Sequence, residues 1–522
     1  MNYITLEDNL FTLEIPKLTG RLFSPNDASS LPVIENTASG IFSVLMSFGC
    51  CAPLICCPQG DNNSFIKGVC GKLESRIKNH LINTKSPLSL SNPQASPNQP
   101  RPLLLVVDRR IDLAAPLKHS SAYNALIDEI LGLNSNQIQI TATGKSFDID
   151  KRDWFWRENS TKSFPKVAEA VESALKAYKT EYDRVLQTTP GMTEDLMKSA
   201  VNNTSENSNT TSTSTATSAA LTPEQLKIAI NVLPELTERK RLIDTHLQIS
   251  TALLDSIKTR DLGTLFSLEQ DIVTGALTGS SNPNAILSSE EIISTLKNPK
   301  IGNSQDKLRL LLIYLIYGFR NHSNNLNFVQ EALDILKPTG DDLKALQSVL
   351  TILSSENSIL TPNLLTANSS SAGSKATSPI EQPATSITSD FFSRLSSTTN
   401  VLVSSVKNLM PAGGNSESPL TKMVDSAYAQ VTGRLQTLNT TVNCIDPRPS
   451  KSITATSSGH SHSIDHVILF VIGGAAYSEY DHLLEHFNRN KALQNLKFTF
   501  GVTEILNPKK FLNQLSESQK NQ

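Results

Sequence analysis

The sequence predicts an α/β fold joined to a mainly α region: a parallel-sheet domain interrupted by a large helical insertion. Three observations lead there. Short apolar runs alternate with amphipathic helical stretches near both ends of the chain. The period becomes purely helical between them. Ser/Thr/Asn-rich runs punctuate that middle part. The expected boundaries are 1–119 for the first part of the α/β domain, 120–449 for the insertion and 450–522 for the second part.

The elements follow in chain order. "IFSVLMSFGCCAPLICC" (Ile41 to Cys57) is barely long enough to span a membrane, and Gly49 and Pro53 interrupt it. It reads as a buried helix, a turn and the strand "APLICC". Phe65, Val69, Leu73, Ile77 and Leu81 then recur every four residues, the stripe of a helix. After a Pro/Ser/Asn linker comes the strand Leu103–Asp108, "LLLVVD", and the helix-like "HSSAYNALIDEIL". Strands separated by helices imply a parallel sheet covered on both faces. "LPELTERKRLIDTHLQISTALLDSIKTR" carries Leu236, Ile243, Leu247, Leu254 and Ile257 on one seam, as a long helix of a hairpin over about 170–262 does. "DKLRLLLIYLIYG" is a second helix, apolar on most sides. Residues 200–220 and 354–390 are too polar to order themselves by burial. "HVILFVIGG" and "KFTFGV" read as strands, and "YSEYDHLLEHF" and "NPKKFLNQL" as helices. Asn507 caps the last helix, with Pro508 at its first position.

Charge excludes little. Lys and Arg number 47 against 49 Asp and Glu, a net charge of -2, so no basic excess marks a nucleic-acid binder. Five of six cysteines fall between Cys50 and Cys70, and the two adjacent pairs among them do not suit a disulfide framework. Such usage fits a reducing, cytosolic compartment. The start "MNYITLEDNLF" lacks the basic and apolar regions of a signal peptide.

Several motifs touch on chemistry without completing it. "TGKS" (Thr143–Ser146) has Gln139 where a phosphate-binding P-loop needs glycine. "GGAAYSEY" (Gly473–Tyr480) lies between strand and helix but does not fit G-x-G-x-x-G; a tight turn accounts for both glycines. "GHSHSIDH" offers His460, His462 and His466 without a framing carboxylate pair, and Ser463 breaks the G-x-S-x-G elbow. "CCAPLICC" lacks C-x-x-C spacing, so its thiols read as small core residues. "FDIDKRD" has Asp153 where a calcium loop needs glycine, and reads as a loop into a helix start. No catalytic residue, metal site or cofactor is expected from these residues.

The segments together resemble the SM family (Sec-one/Munc-eighteen-like), syntaxin-binding regulators of SNARE-mediated membrane fusion, and within it the Sly-one branch of endoplasmic reticulum to Golgi traffic. The segments that carry the likeness are "RPLLLVVDRRIDLAAPLKHSSAYNALIDEIL", "FDIDKRDWFW", "FPKVAEAV", "LPELTERKRLIDTHLQISTALLDSIK", "DKLRLLLIYLI", "FFSRL" with "VKNLM", and "HVILFVIGGAAYSEYDHLLEHF". They run through most of the chain in the family's order. The start resembles the end of a further amino-terminal domain, which the chain is expected to lack.

The resemblance implies a monomeric, cytoplasmic protein, peripheral on endoplasmic reticulum and Golgi membranes through its partners. Those are syntaxin-type SNAREs and assembled SNARE complexes, held in register by a helical hairpin. Leu233, Pro234, Leu236, Arg239 and His246 are the SNARE-binding candidates it implies, with Pro234 ending a helix at the hairpin tip. Asp108, Arg109 and Asp112 become hydrogen-bonded ion pairs where the chain leaves the sheet, and Gly473, Gly474, Tyr477 and Glu479 belong to the same structural group. Phe392, Leu395, Leu402, Val406 and Leu409 form one apolar face of a membrane-touching or lid helix. Two other readings stay open: an α/β enzyme with a helical cap that uses the Gly473–Glu479 turn, and an inert truncated decoy.

Overall fold

The computed structural model describes residues 2–22, 30–49, 52–59, 64–83, 100–140, 144–149, 152–188, 223–277, 289–318, 326–338, 340–357, 418–434, 442–448 and 462–518. Its strands are β1 (Ile4–Glu7), β2 (Leu10–Thr12), β3 (Leu54–Pro58), β4 (Arg101–Asp108), β5 (Leu133–Asn134), β6 (Gln137–Ile140), β7 (Lys145–Asp148), β8 (Val442–Ile445), β9 (Ile464–Ile472) and β10 (Lys497–Val502). Seven of them form one sheet in the order β1-β2-β10-β9-β4-β3-β8. The pairs β2–β10, β10–β9, β9–β4 and β4–β3 are parallel. Both edges, β1 on β2 and β8 on β3, are antiparallel. All eight residues of β4 are buried, as a central parallel strand requires. The strands expected at "APLICC", "LLLVVD", "HVILFVIGG" and "KFTFGV" all lie in this sheet.

The helices are α1 (Thr19–Leu22), α2 (Ser30–Phe48), α3 (Ser64–Asn83), α4 (Tyr123–Ile130), α5 (Trp154–Asn159), α6 (Phe164–Thr188), α7 (Pro223–Arg260), α8 (Leu262–Leu277), α9 (Ser289–Lys297), α10 (Ser304–Gly318), α11 (Leu326–Leu336), α12 (Asp341–Asn357), α13 (Pro419–Val431), α14 (Tyr477–Arg489) and α15 (Pro508–Ser518). Among the described residues α2 is the one helix long and apolar enough to cross a membrane. It is spent on the sheet instead: Ile41, Val44 and Leu45 share a core with Ile55, Leu104, Val106, Ile468 and Phe470. The stripe Phe65, Val69, Leu73, Ile77 and Leu81 of α3 joins the same core. The Asn507 side chain accepts from the Lys510 amide at 2.9 Å, the cap expected at the start of α15.

By compactness the described chain divides into two units. One contains residues 2–120, 260–357 and 418–518, and so the seven-stranded sheet. The other is the excursion 121–259, which contains α4 to α7 and the small antiparallel sheet β5-β6-β7. Helices from 260 to 357, which the sequence reading placed in the insertion, group with the sheet. The polar stretch at Lys145–Asp148, read as loop, is the edge strand β7; its antiparallel partner is β6. Gly144, at φ 66°, makes the turn into it.

Candidate functional site

The charged end of β4 is a clamp inside the sheet-bearing unit. Asp108 accepts from the Arg110 amide and guanidinium, at 3.0 and 2.5 Å, and so caps a 3₁₀ turn at Arg109–Ile111. That turn aims Arg109 inward, where it is fully buried. Its guanidinium forks onto Glu479, with Nη1 donating to Oε2 at 2.7 Å and Nη2 to Oε1 at 2.8 Å. Nη1 also donates to the Gly474 carbonyl at 3.2 Å. Glu479 belongs to the first turn of α14, and its Oε2 accepts from the Ala476 amide at 2.9 Å.

Gly473 and Gly474, at φ 89° and 85°, make the turn that joins β9 to α14. A Cβ on Gly474 would meet the Glu504 carbonyl at 2.8 Å and Leu506 at 2.7 Å. Tyr477 is buried beside them. Burial alone would lower the Arg109 pKa, but Glu479, then Asp112 and Asp108, more than offset it and hold the guanidinium above its usual value.

Asp112 does not join that pair. It accepts from the amides of Ala114 and Ala115, both at 3.0 Å, and starts the next turn. The expected ion pairs of Asp108, Arg109 and Asp112 across the chain's exit are therefore replaced by an internal clamp with Glu479. A nucleophile is not part of the clamp, and both Glu479 oxygens and both terminal guanidinium nitrogens of Arg109 are engaged.

The exit itself is held by residues the sequence reading did not single out. His119, two residues before the chain leaves this unit, donates its amide to Glu269 at 2.7 Å. Its Nδ1 lies 2.6 Å from the other Glu269 oxygen, and its Nε2 3.5 Å from Asp306. Arg260, the first residue on return, forks onto Asp306 at 3.0 and 2.5 Å. Arg309 donates to the Leu117 carbonyl at 2.7 Å. Burial would raise the Asp306 pKa, but the nearby His119 ring and the Arg260 fork outweigh it and hold the carboxyl far below its usual range. These residues come from separate stretches of sequence that carry no shared motif, so only the fold brings them together.

In the second unit, α7 is the element that carries the SNARE-binding candidates. The expected stop at Pro234 does not occur: the helix continues through it from Pro223 to Arg260. Proline removes the bond to the Ile230 carbonyl, but flanking turns on both sides keep the helix going. Pro234 is exposed, Leu236 is buried, and Arg239 is half-buried with its guanidinium 5.8 Å from the centre of the Trp154 ring. Leu233 lies in the backbone of α7, but its side chain is outside the described residues.

His246, a SNARE-binding candidate and so expected to be accessible, is instead fully buried. Its Nε2 lies 2.8 Å from Asp153 Oδ2, its Nδ1 3.0 Å from the Tyr123 hydroxyl, and its ring 4.5 Å from that of Phe155. Asp153 uses its other oxygen to cap α5, accepting from the amides of Phe155 and Trp156. Burial would raise the Asp153 pKa; the His246 hydrogen bond leads the effects that hold it below its usual value. Helical spacing places His246 and Arg239 on one side of α7 only within about 20°, a difference that packing decides. Phe392, Leu395, Leu402, Val406 and Leu409 lie outside the described residues.

Other motif residues, where described, also bond or pack within the fold. His466 is in β9, its Nε2 2.8 Å from the Thr499 hydroxyl of the adjacent β10. Cys56, Cys57 and Cys70 are buried thiols.

Comparison with known proteins agrees with this architecture. Protein sly1 of Schizosaccharomyces pombe is 28% identical over 529 residues, covering 99% of this chain and 76% of that protein. The SEC1 family transport protein SLY1 of Arabidopsis thaliana is 29% identical over 523 residues, covering 99% and 74%. Among solved structures, the crystal structure of Sly1p in complex with an N-terminal peptide of Sed5p matches with a TM-score of 0.69 at 24% identity, over 99% of this chain and 74% of that one. The SM protein Vps45 in complex with the Qa SNARE Tlg2 matches with a TM-score of 0.64 at 18% identity, over 99% and 75%. Residues 1–514 match the Sec1 family, and the chain belongs to that family.

Proposed function

We propose that the chain is a regulator of SNARE-mediated vesicle docking and fusion in endoplasmic reticulum to Golgi transport. It binds syntaxin-type SNAREs and assembled SNARE complexes, acts in the cytoplasm at the surface of those membranes through its partners, and performs no covalent chemistry. Membership of the Sec1 family, with relatives named Sly1 aligned along 99% of the chain, carries this reading. The buried charges Arg109, Glu479, Glu269 and Asp306 support it, because each is bonded to another protein group.

The mechanism is alignment. SNARE motifs gain order only on assembly, so a surface that holds two of them in register lowers the ordering cost of zippering. Helix α7 supplies such a surface: 38 residues, or roughly 57 Å at 1.5 Å per residue. Pro234 and Arg239, with Leu233 beside them, are the contact residues of the proposal. Leu236 and His246 support the helix from within.

The test is binding of the purified chain to a Golgi-type four-helix SNARE bundle. Arg239→Glu is expected to weaken binding at least tenfold while leaving the far-ultraviolet circular dichroism unchanged. A folded R239E variant that binds as well as the parent removes α7 as the template.

A further inference from the structure

We propose that Cys56 of β3 and Cys444 of β8 form a reversible cross-strand disulfide, closed by exchange with a small-molecule disulfide such as glutathione disulfide. Their Sγ atoms lie 2.6 Å apart, and the two residues are direct partners in the antiparallel register.

The kind of pair is legible from the ladder. Pro58 faces Val442, and proline has no amide to donate. Val442 spends both backbone groups on the Gln430 side chain: its carbonyl accepts at 2.8 Å and its amide donates at 3.4 Å. Pro58 and Val442 are therefore a non-hydrogen-bonded pair. Such pairs alternate with hydrogen-bonded ones, so Cys56 and Cys444, two residues along each strand, are non-hydrogen-bonded as well. That geometry sets the Cα atoms about 4.5 Å apart, inside the ~4.4–6.8 Å window of disulfides.

Both ends of β8 are already held. Arg101 forks onto Asp446 at 2.8 and 3.1 Å, and Gln430 takes Val442. The backbone does not need to shift for the bond to form.

Access decides the order of steps. Cys444 is half-buried and Cys56 fully buried. The Cys444 thiolate attacks glutathione disulfide, forming a mixed disulfide and releasing one glutathione thiol. The Cys56 sulfur, losing its proton, then attacks the Cys444 sulfur and releases the second glutathione thiol. Two protein thiols are oxidised, one glutathione disulfide is reduced, and the atoms balance. Burial, then the contact with Cys444, raises the Cys56 pKa well above its usual value, so Cys56 rests as a thiol. Cys57 points to the opposite face of β3, into the core it shares with Cys70, and is the internal competitor. The closed bond pins edge strand β8 to the sheet across a sequence separation of 388.

The full-length chain, reduced and then equilibrated with glutathione and glutathione disulfide, is mapped by non-reducing tryptic digestion and mass spectrometry. A link from the Cys444 peptide to the peptide carrying Cys56 is expected in the parent and in Cys57→Ser. It should vanish in Cys56→Ser and Cys444→Ser, and dithiothreitol should reverse it. Oxidation should raise the melting temperature of the parent by several degrees and leave Cys444→Ser unmoved. Should the buried Cys56→Ser fail to fold, the half-exposed Cys444→Ser carries the comparison. A Cys444 link that survives in Cys56→Ser, a Cys57–Cys70 bond in its place, or a persistent glutathione adduct on Cys444 would each overturn the proposal.

Discussion

Arg109 and Glu479 show how much a single pair can determine. The guanidinium is fully buried and Glu479 is its forked partner. Glu479→Leu strands a buried cation and should cost about 3–5 kcal/mol, read as a fall in the denaturant midpoint. Arg109→Met combined with Glu479→Leu should recover much of that loss, because an apolar pair no longer pays for desolvation. An enzyme that used Glu479 would lose turnover instead of stability, so this measurement also separates the two functional classes.

Asp306 sets an acid limit. Its folded pKa is depressed by His119 and Arg260 despite burial, so its contribution is complete above its unfolded pKa of about 3.9. It is lost as pH falls below that value. Asp306→Asn should lower stability at neutral pH and flatten the decline between about pH 4 and 2, measured by urea unfolding across that range.

These residues were unevenly legible. Asp108, Arg109 and Glu479 stood out as charges at strand and helix ends, and the turn glycines pointed to close packing. The partner of Arg109 was not legible, because the two residues are 370 positions apart. His246 was misplaced for a related reason: periodicity gives its side of the helix only approximately, and Asp153, a residue that looked like loop, draws it inside.

At the scale of elements, long and periodic segments were the readable ones. The stripes of α3 and α7 repeat often enough to fix both type and face, and Leu236, Ile243, Leu247, Leu254 and Ile257 are all buried. Strands of four polar or mixed residues were not readable. β7 and β8 carry too few apolar positions for a period of two to show, and each is defined by its neighbour in the ladder.

Helix α7 is the exception among the long segments. Proline argued for a stop, and the chain continues through it. The missing bond at Ile230 makes this the weakest turn of the helix. Pro234→Ala should restore the bond and stabilise that turn by about 3 kcal/mol at most. Slower amide hydrogen exchange over residues 231–238 would report it, with little change at residues 245–255.

At the scale of the whole molecule, the described chain makes a long excursion, 121–259, from its sheet-bearing unit and returns to it. His119 before the exit and Arg260 at the return meet on Asp306 and Glu269, so each end of the excursion is anchored by charge rather than by a motif. The sequence showed the return of α/β texture near its end and therefore the interruption. It could not show that helices from 260 to 357 belong to the sheet-bearing unit, because helical period alone does not reveal what a helix packs against.

The central claim is that α7 presents SNARE helices to one another. Its most direct test is the rate of SNARE bundle assembly, followed by fluorescence, with the parent chain and with Arg239→Glu at equal concentration. The account predicts faster assembly with the parent and a clear loss of that acceleration with the folded variant. Equal acceleration by both, or none by a folded parent that also fails to bind the bundle, would contradict it.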